Sequence, residues 1–227
     1  MNYLFTVIVF GFILAESLAQ PQGQPYTPSI TNCPENYGLQ TYPDPDYCDS
    51  FFKCANGTLT HEVCGNGLIY DEAKAFYGAV HNHCVYNWDG SCGNRKYDDT
   101  PQPSGPCEYQ FGLYPIDYCA PSYYKCAYGT PEESACETGL AYDARIHGCN
   151  WPDLLEKCDP STFVGFNCPQ TQNEIADSLT RRFWPFPRFA YKGQPDSYIT
   201  CVNGQPRLQR CGYGTVFAEN YLSCIEV

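Results

Sequence analysis

The chain has 227 residues, of which only 17% are charged, and its formal net charge is −12 at pH 7. An acidic chain has little affinity for a phosphate backbone, so the composition disfavours nucleic acid as a partner. Sixteen cysteines and an aromatic content of 16% indicate small disulfide-stapled domains that rely on aromatic side chains.

The first 19 residues predict a secretory signal peptide. Residues 3–15 are almost wholly apolar, and Ser17-Leu18-Ala19 has the small-x-small pattern of a cleavage site. The apolar run is shorter than the about 20 residues that a spanning helix needs. We therefore expect secretion, no membrane segment, and a flexible leader at residues 20–32.

The cysteines divide the rest of the chain into two sets of six and one set of four. Successive cysteines are separated by 14, 5, 9, 19 and 7 residues in the first set, by 11, 6, 9, 12 and 8 in the second, and by 32, 9 and 12 in the third. Regular spacing in a secreted chain indicates a disulfide framework, whereas zinc sites favour closer pairs such as C-x2-C. We predict units at 33–92, 107–158 and 168–227, with linkers at 93–106 and 159–167.

Residues beside the cysteines repeat as well. An aromatic pair precedes the third cysteine in the first two units, Phe51-Phe52 and Tyr123-Tyr124, and Tyr198-Ile199 is a looser third copy. The sequence Gly-Leu-x-Tyr-Asp follows the fourth cysteine in those two units. Alternating patterns and turns such as Asn56-Gly57 predict short antiparallel strands, and residues 173–182 are the only helix-compatible stretch.

Six cysteines at this spacing, with the aromatic pair and the Gly-Leu-x-Tyr-Asp sequence, resemble the peritrophin-A (type 2) chitin-binding domain. Three such units behind a signal peptide resemble the insect obstructor group of cuticular proteins analogous to peritrophins. The resemblance implies a small disulfide-rich all-β fold of three tandem modules, the third divergent, with chitin as partner and no cofactor. We call the units modules one, two and three.

The resemblance also implies bridges from first to third, second to sixth and fourth to fifth cysteine. These are Cys33–Cys54, Cys48–Cys92, Cys64–Cys84, Cys107–Cys126, Cys119–Cys158 and Cys136–Cys149. Module three lacks the second and sixth cysteines, which are partners in this scheme, and Pro195 stands near the place of the second. Its four cysteines can still pair, as Cys168–Cys201 and Cys211–Cys224.

A neutral polysaccharide is recognised by flat aromatic surfaces and a few hydrogen-bonding groups. The candidate chitin contacts at repeated positions are Phe51, Phe52, Tyr70, Asp71, Trp88, Tyr123, Tyr124, Tyr142, Asp143, Trp151, Tyr198, Tyr213 and Phe217. Strand alternation sends one member of each aromatic pair into the core, and the two aspartates are alternatively turn caps.

Three further features of the sequence concern modification, partner contacts and catalysis. Asn56-Gly57-Thr58 is an N-glycosylation sequon on a predicted turn, so Asn56 is a candidate glycosylation site. The stretch 181–191 is basic and aromatic, and we hypothesise that it contacts acidic matrix proteins or the other modules. Neither G-x-S-x-G nor HExxH occurs, no chitinase-like acidic cluster is present, and we predict no metal site and no catalysis.

The sequence therefore predicts a secreted, non-enzymatic structural protein that binds chitin and organises or crosslinks it in extracellular matrix, in insect cuticle. Other matrix proteins are further candidate partners. Two alternatives stay open. A disulfide-rich protease inhibitor would use Lys53 or Lys125 as an exposed P1-like residue, and a soluble immune lectin would recognise chitin in fungal walls.

Overall fold

The computed structural model describes residues 30–76 and 81–227. The predicted signal peptide at 1–19 and most of the predicted leader at 20–32 lie outside the described residues. Within the described ranges, no helix is both long enough and apolar enough to cross a membrane.

Each module consists of a three-stranded antiparallel sheet followed by a two-stranded hairpin. Module one contains β1 (Leu39–Pro43), β2 (Ser50–Ala55), β3 (Thr58–Val63), β4 (Leu68–Ile69) and β5 (Val85–Tyr86). Module two contains β6 (Gly112–Pro115), β7 (Ser122–Ala127), β8 (Thr130–Ala135), β9 (Ala141–Asp143) and β10 (Gly148–Asn150). Module three contains β11 (Arg188–Ala190), β12 (Ser197–Val202), β13 (Gln205–Arg210), β14 (Thr215–Ala218) and β15 (Ser223–Glu226). The disulfide-rich all-β prediction is confirmed.

The second and third strands of each sheet are joined by the same tight turn. In module one, Asn56 and Gly57 both have positive φ, 48° and 81°, as a type I′ hairpin turn requires. Tyr128-Gly129 and Asn203-Gly204 adopt the same conformation. Asn56 is exposed at this turn, and its Oδ1 accepts a hydrogen bond from the Gly38 amide at 3.1 Å.

All sixteen cysteines lie in the described residues and all are paired. The eight bridges are Cys33–Cys54, Cys48–Cys92, Cys64–Cys84, Cys107–Cys126, Cys119–Cys158, Cys136–Cys149, Cys168–Cys201 and Cys211–Cys224. These are the pairs that the resemblance implies. Domains of this size bury too little apolar surface to fold securely without such staples.

One backbone hydrogen bond ties the sheet to the hairpin in every module. The amide of Tyr70 donates to the carbonyl of Cys48 at 2.7 Å, and Tyr142 donates to Ala120 at 3.0 Å. In module three Phe217 donates to Pro195 at 2.7 Å, so Pro195 takes the position that Cys48 has in module one. Module three thus keeps the backbone connection without the bridge.

The segment that leads into module three contains a helix that the sequence analysis did not predict. Helix α1 (Pro160–Val164) lies in the predicted linker, capped by Asp159, whose side chain accepts from the Ser161 amide, and ended by Gly165 at φ 72°. The prediction that 173–182 is the only helical stretch was therefore wrong. That stretch contains most of a 3₁₀ turn at Gln172–Glu174 and all of α2 (Ser178–Arg181).

Consecutive modules pack closely because the glycine three residues after the fourth cysteine has no side chain. Gly67 has φ 95°, and a Cβ there would lie 2.3 Å from the carbonyl oxygen of Phe111 in module two. Gly139 has φ 89°, and a Cβ there would lie 2.1 Å from the carbonyl oxygen of Leu208 in module three. Both positions need glycine for backbone conformation and for the approach of the next module.

Candidate functional site

One face of each three-stranded sheet packs on the hairpin of its own module. Phe51 stacks on Tyr70 with ring centroids 4.9 Å apart, and Tyr123 stacks on Tyr142 at the same distance. In module three Tyr198 stacks on Phe217 at 4.8 Å. The first member of each aromatic pair therefore joins sheet to hairpin, as strand alternation predicted for one of the two residues.

Burial removes several predicted residues from the set of sugar contacts. Phe51 and Tyr70 are fully buried, and Tyr142 and Phe217 are 3% and 8% exposed. The hydroxyls of the two tyrosines form hydrogen bonds within their modules. Tyr70 donates to Thr41 Oγ1 at 3.0 Å, and Tyr142 donates to the Leu113 carbonyl at 2.9 Å. Burial raises the pKa of the Tyr142 hydroxyl to about 12. These four rings are core, because a module this small needs its largest side chains inside.

The two predicted aspartates organise the hairpins. Asp143 is 3% exposed and accepts from Arg145 Nε at 3.0 Å and Nη2 at 2.8 Å, and the hydrogen bond from Arg145 lowers the pKa of the carboxyl to about 2. Asp71 accepts from the amides of Ala73 and Ser91 at 3.0 and 2.9 Å. The turn-capping alternative applies to both, and buried Asp143 is not a sugar contact.

The two tryptophans lie at junctions between modules. Trp88 stacks on Tyr86, at 4.6 Å, and on His147 of module two, at 3.8 Å. Burial lowers the pKa of the His147 imidazole. Trp151 carries the guanidinium of Arg207, from module three, 5.3 Å over its ring. Trp88 is still 38% exposed, so the prediction that it contacts sugar stays a prediction.

The opposite face of each sheet carries a second row of side chains, one from each strand. In module one the row is Tyr42, Phe52 and His61, which are cross-strand neighbours in the sheet register. Phe52 and Tyr42 are half-buried, His61 is exposed, and the Phe52 and His61 rings are 4.8 Å apart. This row places one ring-bearing side chain on each of three adjacent strands.

An acidic residue fixes the end of this strip. His61 Nε2 lies 2.8 Å from Asp44 Oδ2, and Asp44 is 7% exposed. Burial by itself raises the pKa of Asp44, but hydrogen bonds from the Tyr47 and Asp46 amides and from His61 hold it below its ordinary value. The imidazole is thereby oriented by a carboxylate whose oxygens are already engaged.

Module two has the corresponding row of Tyr114, Tyr124 and Glu133. Both tyrosines are half-buried and Glu133 is exposed. The Tyr114 hydroxyl accepts from the Tyr109 amide at 2.8 Å, which orients this ring along the sheet. We call these two strips the open rows. Of the predicted residues, Phe52 and Tyr124 lie on them.

In module three the same positions hold Phe189, Ile199 and Leu208. Ile199 and Leu208 are 1% and 8% exposed, and they form a core cluster with Val164 of α1. The row that is open in modules one and two is therefore closed in module three. Strand β11, which supplies Phe189, comes from the 181–191 stretch, so part of that stretch is a sheet strand.

Other predicted residues occupy separate places. Tyr198 is partly exposed while it stacks on Phe217, and Tyr213 is fully exposed in the loop before β14. The structure does not bring either of them onto an open row.

Sequence reasoning missed Tyr42, Tyr114 and His61. The repeated Tyr42-Pro43 and Tyr114-Pro115 sequences were the available signal, but only strand register shows that these tyrosines flank Phe52 and Tyr124. Register is a tertiary property, because a shift of one residue moves every side chain to the other face.

A second surface feature repeats around the Asp-Tyr-Cys sequences, which are Asp46-Tyr47-Cys48 in module one and Asp117-Tyr118-Cys119 in module two. Tyr118 is 74% exposed with the Lys157 ammonium 5.4 Å over its ring, and Tyr47 is paired in the same way with Lys96 at 5.7 Å. In module two this tyrosine borders a cleft of about 440 Å³. The apolar and charged lining of the cleft includes Ile116, Arg145 and Leu155.

The geometry of the modules agrees with comparisons to known proteins. The family model described as chitin binding peritrophin-A domain matches residues 33–92, 107–158 and 187–226. The third match begins just before β11 and later than the predicted start of module three at Cys168.

Three curated proteins are similar to the chain. Protein obstructor-E of Drosophila melanogaster is 30% identical over 190 residues, covering 79% of this chain and 73% of that protein. Peritrophin-1 of Anopheles gambiae is 25% identical over 159 residues, covering 66% of this chain and 93% of that protein. Probable chitinase 10 of Drosophila melanogaster is 27% identical over 139 residues, covering 59% of this chain but only 6% of that protein.

Proposed function

Since the chain belongs to the family of chitin binding peritrophin-A domain proteins, we propose that it is a secreted, non-enzymatic structural protein that binds chitin through its two open rows. It organises or crosslinks chitin in extracellular matrix, in insect cuticle. Chitin binding follows from membership of the family. We infer in addition that the rows form the binding site, that the chain is not catalytic and that it is located in cuticle.

The observation that carries the proposed site is the pair of open rows. Aromatic side chains on neighbouring strands, which lie about 4.8 Å apart, present a strip on which the apolar faces of successive sugars can stack. The hydroxyls of Tyr42 and Tyr114 and the imidazole of His61 lie at the strip, where sugar hydroxyls and N-acetyl groups can form hydrogen bonds. A neutral, hydroxyl-rich polymer needs this combination of surfaces.

Two rows on one chain support an organising role. A polymer repeats its epitope, so once one row is bound the second binds at high effective concentration, and avidity rises about 10²–10⁴-fold. Rows that engage different fibres crosslink them instead. Either outcome uses weak individual sites, which suits partly exposed rings better than a deep pocket.

The absence of catalysis is supported by two considerations. Glycoside hydrolysis commonly uses a pair of carboxylates, whereas the row of module two has one, Glu133, and the row of module one has His61 in its place. The similarity to Probable chitinase 10 covers 6% of that protein, compared with 73% of protein obstructor-E.

Sedimentation with chitin beads tests the proposed site. We expect the wild-type chain to sediment, and the double variant Phe52→Ala with Tyr124→Ala to bind about 5- to 150-fold more weakly, because each aromatic contact contributes about 0.5–1.5 kcal/mol. The matched control is Tyr47→Ala with Tyr118→Ala, which removes two exposed rings that are off the rows. If the control loses binding and the row variant does not, the site lies beside the Asp-Tyr-Cys sequences.

Further measurements on the wild-type chain distinguish the proposed function from a protease inhibitor and from an immune lectin. A wild-type chain that does not sediment with chitin but slows trypsin is a protease inhibitor. Secretion and location are tested by expressing the tagged chain in insect cells and by staining insect cuticle with an antibody. Staining confined to haemolymph would favour the immune lectin.

A further inference from the structure

The two open rows differ in charge at their third position. Phe52 and Tyr124 are equivalent central residues, but the neighbour on the third strand is His61 in module one and Glu133 in module two. The same sheet position therefore presents an imidazole to one stretch of polymer and a carboxylate to another.

The carboxylate of module two is held at the row. Glu133 is exposed, and its Oε1 accepts a hydrogen bond from the Ser122 hydroxyl at 2.7 Å on the same sheet face. The carboxylate near the row of module one is different, because Asp44 is 7% exposed and bound to two backbone amides and to His61. Module two alone thus offers an accessible anion beside its aromatic strip.

An accessible anion beside tyrosine rings is suited to an ammonium group. A carboxylate forms a charge-assisted hydrogen bond with such a cation, and a tyrosine face attracts a cation within about 6 Å of its centroid. A chitin chain carries ammonium groups only where its N-acetyl groups have been removed. We propose that module two recognises deacetylated, cationic sugar units through Glu133, while module one recognises N-acetylated, neutral units. This inference rests on the proposed function of the rows.

The distribution of charge along the chain favours the same partner. Residues 33–106 contain ten acidic and four basic side chains, and residues 107–158 contain eight and three, whereas residues 159–227 contain six of each. Residues 33–158 therefore carry a net charge of −11 out of the chain's −12, which attracts a polycation and raises its local concentration at both modules with open rows.

Binding of two defined oligosaccharides to the full chain tests this inference. Affinities for an N-acetylglucosamine hexamer and a glucosamine hexamer are measured by calorimetry at low salt and mildly acidic pH, because salt screens the interaction of exposed charges. The readout is the ratio of the two affinities. Glu133→Gln should lower the preference for the glucosamine hexamer by about two- to fivefold, the range expected for an exposed ion pair.

Two further variants make the result specific. Glu133→His, which gives module two the residue of module one, should lower the ratio more, because the imidazole is partly protonated at this pH and repels an ammonium group. The control Glu132→Gln removes the same charge from the adjacent position of β8, whose side chain lies on the opposite face beside Lys125. It should leave the ratio unchanged, and added salt should shrink the effect of Glu133→Gln.

The outcomes separate this inference from the function on which it rests. A wild-type chain that binds neither hexamer overturns the proposed function of the rows and this inference with it. A wild-type chain that binds the N-acetylated hexamer, with the same ratio in Glu133→Gln or an equal change in Glu132→Gln, overturns the inference alone.

Discussion

Modules two and three place different residues at the same three sheet positions, with opposite consequences. In module two, Tyr114, Tyr124 and Glu133 stay accessible as an open row. In module three the row of Phe189, Ile199 and Leu208 is covered by α1 and becomes core. The comparison shows that a repeated fold does not repeat its binding surface, because a five-residue helix from the connecting segment decides whether the sheet face meets solvent.

The modules also differ in how they are stabilised. Modules one and two have three bridges each, while module three has two and keeps only the backbone hydrogen bond where the missing bridge would be. The cluster beneath α1 supplies apolar burial that the other sheets lack on this face. Module three therefore lacks one disulfide bridge but has a sheet face that packs against α1.

Removing one bridge from module one gives the largest change. In Cys48→Ala with Cys92→Ala, a tie between residues 44 positions apart is lost, and we expect module one to lose about 4 kcal/mol of unfolding free energy in the chain-entropy model. Hydrogen exchange of peptides from β2 and β12, read by mass spectrometry, should show faster exchange in module one and little change in module three. Equal acceleration in both would mean that the modules unfold as one unit.

The second prediction compares alanine substitutions at the central position of the row in module three and in module one. Ile199→Ala opens a cavity under α1 and should destabilise module three by about 3 kcal/mol. The equivalent Phe52→Ala should cost about 1 kcal/mol, since its ring is half-buried, while weakening chitin binding. Thermal unfolding and chitin sedimentation, measured on both variants, should give opposite rankings. If Ile199→Ala weakens chitin binding more than Phe52→Ala does, module three is a main binding site.

The junctions between modules differ as well, and Arg207→Ala tests that difference. Arg207 donates to both oxygens of Asp153 at 2.9 and 2.8 Å and covers Trp151, whereas the first junction is the uncharged stack around Trp88. We expect a loss of about 1–2 kcal/mol at the second junction, from the half-buried carboxylate left without its partner. Limited proteolysis between modules two and three should accelerate. Unchanged cleavage there would show that Gly139 and its backbone contacts hold the junction by themselves.

The smallest effect is expected in the hairpin of module two. Arg145→Ala introduces the residue that module one has at the equivalent Ala73, and Arg145 is 55% exposed, so solvent screens its ion pair. The pKa of Asp143 is depressed to about 2, so its contribution to stability is fully present above the unfolded value of about 4 and is lost as pH falls towards 2. The variant should shift acid unfolding of module two to higher pH. An unchanged acid transition, followed by circular dichroism, would show that Asn150 and the backbone amides suffice.

Sequence reasoning reached the repeats, the strand-turn-strand signals and the fold class because these depend on local patterns. Asn56-Gly57 specifies its turn by itself, and alternation correctly divided Phe51 from Phe52 between two faces. Sequence reasoning predicted only some residues of the candidate site. Phe52 and Tyr124 were identified, but Tyr70, Tyr142 and Phe217 occupy repeated aromatic positions for packing, and repetition alone cannot separate packing from binding.

The sequence by itself determined three modules, their cysteine framework and an acidic, aromatic chain, because spacing and composition are properties of the linear chain. Tertiary structure alone decided which face of each sheet is open. Register places Tyr42 beside Phe52 and Glu133 beside Tyr124. The packing of α1 closes the row of Ile199, and His147 of the neighbouring module stacks on Trp88. Exposure depends on residues far away in sequence, since a side chain reaches solvent only where no other segment of the folded chain excludes it.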